Sequence, residues 1–203
     1  MAYEDFIRND SMVKIIGISG ISGAGKSVLT HALGKALNAT MIFWDDFDEI
    51  SQYPKDYIEW YNTSKDYSEW KYNALAEVLK QLKSGKKIMC LATKKELTPT
   101  DYVIFDAPLG RKHMATGQYI DYSIFLNTPL DVALARRILR DFRDKANLNV
   151  NEIFAALDFY MTSSRPLYVM DYEEKEKFDY VIDGNQPVEQ IVNIIVKQLQ
   201  LDN

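Results

Sequence analysis

Residues 20 to 27 read Gly20-Ile21-Ser22-Gly23-Ala24-Gly25-Lys26-Ser27, which fits the phosphate-binding pattern G-x-x-x-x-G-K-[ST]. Three glycines let the backbone curl closely around a polyphosphate with its N–H groups turned inward. A helix beginning there adds the positive end of its dipole. Lys26 is then in reach of the β- and γ-phosphate oxygens, and the Ser27 hydroxyl is in position to ligate Mg²⁺. Gly20, Ser22, Gly23, Ala24, Gly25, Lys26, Ser27 and Val28 are therefore expected to hold a nucleotide, with ATP and Mg²⁺ as the implied cofactors.

Phosphoryl transfer to an alcohol also needs a carboxylate to align and deprotonate the hydroxyl, and cations for the moving charge. Asp45, leaving the apolar run 40–44, is the candidate base. Asp46 beside it either ligates metal through water or caps the loop. Asp106 closes Val103-Ile104-Phe105 and is either the carboxylate that holds Mg²⁺ or a turn residue. Arg136, Arg137, Arg140 and Arg143 form a basic cluster; on a helix 136, 140 and 143 share a face, with 137 to one side. Such a cluster suits a lid closing over the transferred group, or a solvated face paired with Asp141 and Asp144. Tyr53, Tyr57, Trp60, Tyr61, Tyr67 and Trp70 either line an acceptor pocket by stacking on a flat ring or pack as core. His31 and His113 have no partner at metal-ligand spacing.

These groups need a frame. Residues 12–18 form a short apolar run rich in β-branched side chains, the pattern of a buried parallel strand. Val28, Leu29, Ala32, Leu33, Ala36 and Leu37 then recur at helical spacing. Residues 40–44 read as a second strand, 48–70 as loop and short helix, and 69–83 as a helix stopped by Ser84-Gly85. Further strands are expected at 102–105, 122–126 and 180–182. Thr128 as N-cap, Pro129 in the first helical position and Asp131 in the first turn open a helix through Arg140, and another covers 151–162 before a charged stretch. Gly184-Asn185-Gln186-Pro187 breaks the chain before a terminal amphipathic helix. Alternating strands and helices predict a three-layer α/β fold, a parallel sheet covered on both faces with its ligand at the carboxyl ends of the strands. Asp45, Asp46 and Asp106 fall at ends of that kind.

Composition narrows the field. At 203 residues, 47% apolar and 26% charged, with no repeat or linker, the chain reads as one domain over 1–203. A net charge of −5 gives no support to a protein that grips nucleic acid along a basic surface. Cys90 is the sole cysteine, which excludes an internal disulfide and suits a reducing cytoplasm; its apolar run 88–92 reads as the site of a buried, inert thiol. Residues 1–11 are polar with no signal-peptide core, and no apolar stretch approaches the ~20 residues needed to span a bilayer. The expectation is a soluble cytoplasmic protein with a small-molecule acceptor and no membrane partner. Nothing here sets its oligomeric state.

Taken together, the chain resembles the P-loop small-molecule kinases grouped around uridine kinase and nicotinamide riboside kinase. The resemblance rests on Gly17-Ile18-Ser19-Gly20 running into the loop, Trp44-Asp45-Asp46-Phe47, the stretches 80–86 and 134–141, Pro166, and 178–182. It implies a P-loop NTPase fold with a helical lid at roughly 136–165, and ATP- and Mg²⁺-dependent phosphorylation of a hydroxyl on a small metabolite. A nucleoside or ribosyl-like compound is the leading acceptor. By the same resemblance Asp45 activates the acceptor, Arg137 and Arg140 belong to the lid, and Gly184, Asn185 and Pro187 lie near the adenine. Uridine kinases carry tyrosine and histidine in the segment corresponding to 91–97; this chain has neither there. Arg111, near Asp106, either contacts the acceptor or is a surface arginine. The alternatives are a kinase for another alcohol, such as pantothenate or a sugar acid, and a non-catalytic nucleotide-binding regulator. Asp45 argues against the regulator, since a mere binder needs no carboxylate aimed at an acceptor.

Overall fold

Strand β1 (Lys14–Ser19) is buried along most of its length, with Ile15 turned to one face of a sheet and Ile16 and Ile18 to the other. Burial on both faces is what a central parallel strand requires. The computed structural model describes residues 13–201; Met12, expected to head this strand, and the polar stretch 1–11 lie outside them. Helix α1 (Lys26–Ala36) starts from Gly25, whose φ of 103° suits glycine best. Leu29 and Leu33 face the sheet as expected, whereas Val28 is 61% exposed at the mouth of the site.

Strand β2 (Thr40–Phe43) ends one residue short of the expected run, because Trp44 opens a 3₁₀ turn, Trp44–Ile50, that buries Trp44 and Phe47. Asp56 caps α2 (Tyr57–Asn62), its carboxylate accepting from the N–H groups of Ile58 and Glu59. Helix α3 (Asn73–Lys83) begins later than its pattern suggests, since Trp70 and Tyr72 are drawn into the core ahead of it. A small hairpin of β3 (Ile88–Met89) and β4 (Glu96–Leu97) follows, with Cys90 buried at its turn. Next come β5 (Tyr102–Asp106), the short α4 (Met114–Gly117), β6 (Tyr122–Asn127) and α5 (Leu130–Phe142).

The start of α5 corrects the expected cap. Pro129, not Thr128, is its N-cap, and the Thr128 hydroxyl donates instead to Ala24 O at 2.9 Å, on the phosphate loop. Helix α6 (Val150–Phe159) runs into a π-turn, Tyr160–Ser164, and then α7 (Arg165–Glu173). The charged stretch after residue 162 is thus helical. Leu167, Tyr168, Met170 and Tyr172 pack inward, Asp171 is half-buried in an ion pair with Lys112, and Pro166 sits in the first turn of α7. Strand β7 (Tyr180–Asp183) and α8 (Val188–Leu201) complete the described chain.

The sheet has the order β2-β5-β1-β6-β7, with every pair parallel. Helices α1 and α8 cover one face over Ile16, Ile18, Ile104 and Ile124, while α3 and the aromatic segment cover the other over Ile15, Val103 and Phe105. This is the expected three-layer α/β arrangement. Arg111 is held at the amino end of β6, bonded to Ser123 Oγ, Ile120 O, Asp121 O and the Asp179 carboxylate. It is a structural tie, not an acceptor contact. Among the described residues no helix is long and apolar enough to cross a membrane.

Candidate active site

A cavity of about 1100 Å³ opens where the phosphate loop, the turn after β2, α5 and α7 converge. The loop holds its curled shape through φ values of 146° at Gly20, 85° at Gly23 and 103° at Gly25. Gly20, Ser22, Gly23, Gly25, Lys26, Ser27 and Val28 line the cavity. Ala24 does not; it is buried, and its carbonyl accepts from Thr128 Oγ1 and, at 3.3 Å, from Arg136 Nη1. Ala24 shapes the loop from behind.

Lys26 Nζ donates to Ile21 O at 3.2 Å, so the ammonium rests across the loop it serves. Ser27 Oγ donates to Asp106 Oδ2 at 2.7 Å. Burial raises the Asp106 carboxyl above the usual carboxylate range, opposed by Lys26 and the Ser27 bond and reinforced by the Asp45 charge. Hydroxyl and carboxylate oxygens side by side are hard donors, the set that suits Mg²⁺ held by few protein ligands.

The three aspartates after β2 part company. Asp45 and Asp48 line the cavity, while Asp46 is exposed and does not. The 3₁₀ turn explains this, since side chains at i and i+3 eclipse one another and the two residues between them point elsewhere. Asp46 is therefore not brought to the metal-binding position expected for it. Asp48, which sequence reasoning passed over, accepts a 2.6 Å hydrogen bond from Tyr72 Oη. Burial raises the Asp48 carboxyl, against the Tyr72 bond and with the Asp45 charge. The i, i+3 spacing from Asp45 was the available signal.

The aromatic segment is shared between core and cavity wall. Trp44, Trp60, Trp70 and Tyr72 are buried in one core cluster, yet they also line the cavity together with Tyr57 and Tyr67. Trp44 and Tyr72 lie 4.1 Å apart by ring centroid, and Trp60 meets Trp70 edge-on at 4.6 Å. Tyr53 and Tyr61 pack against this cluster without lining the cavity. His113 sits behind it, Nε2 2.7 Å from Trp70 O and Nδ1 2.7 Å from Thr116 Oγ1, and burial pushes its imidazole below the usual range.

Arg136, Arg137 and Arg140 line the cavity and Arg143 does not, so the face shared by 136, 140 and 143 is not the one that matters. Arg136 Nη1 bridges Ala24 O and Gly184 O, each at 3.3 Å. Arg137 donates to Tyr168 Oη and lies over the rings of Tyr168 and Tyr160. Arg140 is 62% exposed and pairs with Asp141 at 2.8 Å, as the solvated-face reading expected. Gly184, Asn185 and Pro187 lie off the cavity lining. Gly184 reaches the loop through Arg136 and a close approach to Thr128, while Pro187 O accepts from the N–H groups of Gln190 and Ile191 in α8.

A model of the phosphoribulokinase/uridine kinase family matches residues 15–169. The chain is 27% identical over 185 residues to uridine kinase of Tolumonas auensis, and 28% identical to uridine kinase of Yersinia enterocolitica, covering 83% of this chain and 85% of each relative. Among solved structures, a sugar kinase from Janibacter sp. HTCC2649 superposes with a TM-score of 0.53 at 15% identity over 93% of this chain and 95% of that one. A putative fructose transport system kinase from Silicibacter sp. TM1040 gives 0.51 at 16% identity over 86% and 91%. The structural likenesses establish the fold; the sequence match goes further. This chain belongs to the phosphoribulokinase/uridine kinase family and is an ATP-dependent small-molecule phosphotransferase.

Proposed function

We propose that this enzyme transfers the γ-phosphoryl group of ATP to a hydroxyl of a nucleoside or ribosyl-like compound. One observation carries the reading: the phosphate loop, Asp45 and Asp48, and a wall of aromatic rings all face a single cavity. The loop N–H groups, the amino end of α1 and Lys26 receive the phosphates. Asp45 accepts the proton of the acceptor hydroxyl as it attacks. The aromatic wall stacks on a flat ring, fixing the acceptor's orientation. Ser27 and Asp106 would hold Mg²⁺, which when bound neutralises charge on the phosphate oxygens. Helices α5 and α6 serve as the lid of a single domain, about 136–165, with Arg137 and Arg140 meeting the transferred group.

The uridine kinase relatives support a nucleoside, although the hairpin 88–97 carries neither tyrosine nor histidine in its 91–97 segment and stays off the cavity lining. Base recognition then falls to the aromatic wall. The free, buried Cys90 suits a reducing compartment such as the cytoplasm. The test is an ADP-release screen across ribonucleosides, vitamins including pantothenate, and sugar acids, with Lys26→Ala as the inactive control. A ribonucleoside is expected to give the highest kcat/KM. A vitamin or sugar acid at the top would replace the acceptor class, and equal turnover by Lys26→Ala would remove the nucleotide site.

A further inference from the structure

Asp48 lines the active-site cavity from the same 3₁₀ turn as Asp45, three residues on, so the two carboxylates rise from one side of that turn. One Asp48 oxygen is engaged, Oδ1 accepting from Tyr72 Oη at 2.6 Å. Tyr72 is 2% exposed and packs on the rings of Trp44 and Tyr53, so the carboxylate is held from behind by a fixed group. Oδ2 accepts from nothing among the described residues, Tyr72 being the one hydrogen-bond donor that acts on the group. Nor is Oδ2 among the buried oxygens left without a partner, so it is accessible, and the cavity is the space that Asp48 lines.

Carboxylates that serve the fold alone look different. Asp121 has both oxygens engaged, by Lys83 and Ile15 N, and Asp179 both of its own, by Arg111 and Ser123. Lys55 also lines the cavity, but its ammonium lies 4.3 Å from the centroid of the Tyr53 ring and acts on Asp48 by its charge. The neighbours of Asp48 say what its open oxygen meets. The Asp45 charge acts on both Asp48 and the Tyr57 hydroxyl, which puts the three at one end of the cavity. Of the rings in 44–72 that line the cavity, Tyr57 is the exposed one, at 46%. An acceptor lying on Tyr57 with one hydroxyl at Asp45 carries its other polar groups past Asp48.

We infer that Asp48 is a specificity-determining residue whose open carboxylate oxygen accepts a hydrogen bond from a second donor on the acceptor, apart from the hydroxyl that is phosphorylated. The enzyme accordingly selects polyhydroxyl acceptors over analogues lacking that donor, since a site built to bond a hydroxyl rejects its absence. This rests on the kinase reading above, with Asp45 as the base.

The experiment measures kcat and KM for the native enzyme, Asp48→Ala and Asp48→Asn with uridine, adenosine and the 2′-deoxy and 3′-deoxy counterparts of each. Asp48→Ala is expected to lower kcat/KM for the ribonucleoside about 10-fold or more, chiefly through KM, as for a bond to a charged group. The native enzyme should lose a similar factor on the one deoxy analogue that lacks the bonded hydroxyl, and Asp48→Ala should lose nothing further on it. KM for ATP should stay within about twofold, since the bond is to the acceptor. Asp48→Ala strands the buried Tyr72 hydroxyl, so Asp48→Asn, which keeps the shape and an accepting oxygen, guards against a lost fold and should show the same pattern over the analogues. Unchanged kinetics or an equal loss on all analogues overturns the assignment and leaves the kinase reading standing. A fall in kcat of about 10²-fold or more with KM unchanged also overturns it, and makes Asp48 the base in place of Asp45. If the native enzyme turns over none of the six, the nucleoside reading falls, and the comparison is made on the best acceptor from the ADP-release screen and its deoxy analogues. A best acceptor with a single hydroxyl and no N–H then overturns the role of Asp48.

Discussion

Ser27 Oγ lies 2.7 Å from Asp106 Oδ2, a hydrogen bond spanning 79 residues of chain that ties the first turn of α1 to the carboxyl end of β5. The parallel register of β1 and β5, with Ile18 opposite Asp106, brings the two together. Asp106 is buried, and the cost of burying its charge exceeds the relief from Lys26 and Ser27. Two oxygen donors are thus held side by side by the sheet itself, so little reorganisation is required when a nucleotide arrives.

Asp45→Asn should retain ATP binding and lose acceptor phosphorylation by about 10²–10⁴-fold, because the amide keeps the shape and cannot take the proton. Asp46→Asn should lose far less, its side chain lying off the cavity. Calorimetric ATP titration with steady-state turnover of both variants checks this. Normal turnover by Asp45→Asn beside an inactive Asp46→Asn would move the base by one residue.

Arg140→Ala should lower kcat about 10-fold or more with little change in ADP affinity, as for a contact made in the transition state. Arg137→Ala should lower kcat as well and also reduce the melting temperature, because it gives up the Tyr168 bond and two ring contacts. Thermal unfolding and kinetics of the two variants separate these effects. Loss of ADP affinity with kcat intact would make Arg140 a binding residue only.

Burial holds the Asp48 carboxyl above its unfolded value of 3.8. A carboxyl raised in the folded state contributes stability that is complete below the unfolded value and is lost as pH rises through the folded one. Asp48→Asn does not titrate, so it should be more stable than the native protein at neutral pH, by a margin that shrinks as the pH falls to about 4. Urea unfolding across that range measures it. A variant less stable at neutral pH would show that the Tyr72 bond needs the charge.

Gly23→Ala places a Cβ 2.1 Å from Ala133 O at a φ of 85°. It should destabilise the fold by about 2 kcal/mol or more and weaken ADP binding. Gly85→Ala is the control, with a φ of 73° and nothing within 4 Å of the added carbon. It should cost about 1 kcal/mol and leave ADP affinity unchanged. Denaturant titrations and ADP binding on the pair decide it.

The frame was legible because β1, β5 and β6 are dominated by apolar, largely β-branched and aromatic residues and the phosphate loop is contiguous in sequence. What escaped depends on partners far along the chain. Asp48 looks like a loop aspartate until Tyr72, 24 residues on, bonds to it. The aromatic segment has no period because its rings pack on one another across two short helices and a turn. Thr128 has every property of an N-cap, yet Ala24 O, 104 residues back, claims its hydroxyl.

The reliance of Ala24 and Gly23 on Thr128, Ala133 and Arg136 has a consequence for synthesis. The bonds on Ala24 O span 104 and 112 residues, and contacts of that range close late, after the chain between them has been ordered. The motif is made before the residues that brace it, so these contacts form only when β6 and the start of α5 have followed it out. A nascent chain arrested after β5 carries the full motif and Asp106, and lacks the bonds of Thr128 and Arg136 to Ala24 and the wall that Ala133 sets against Gly23.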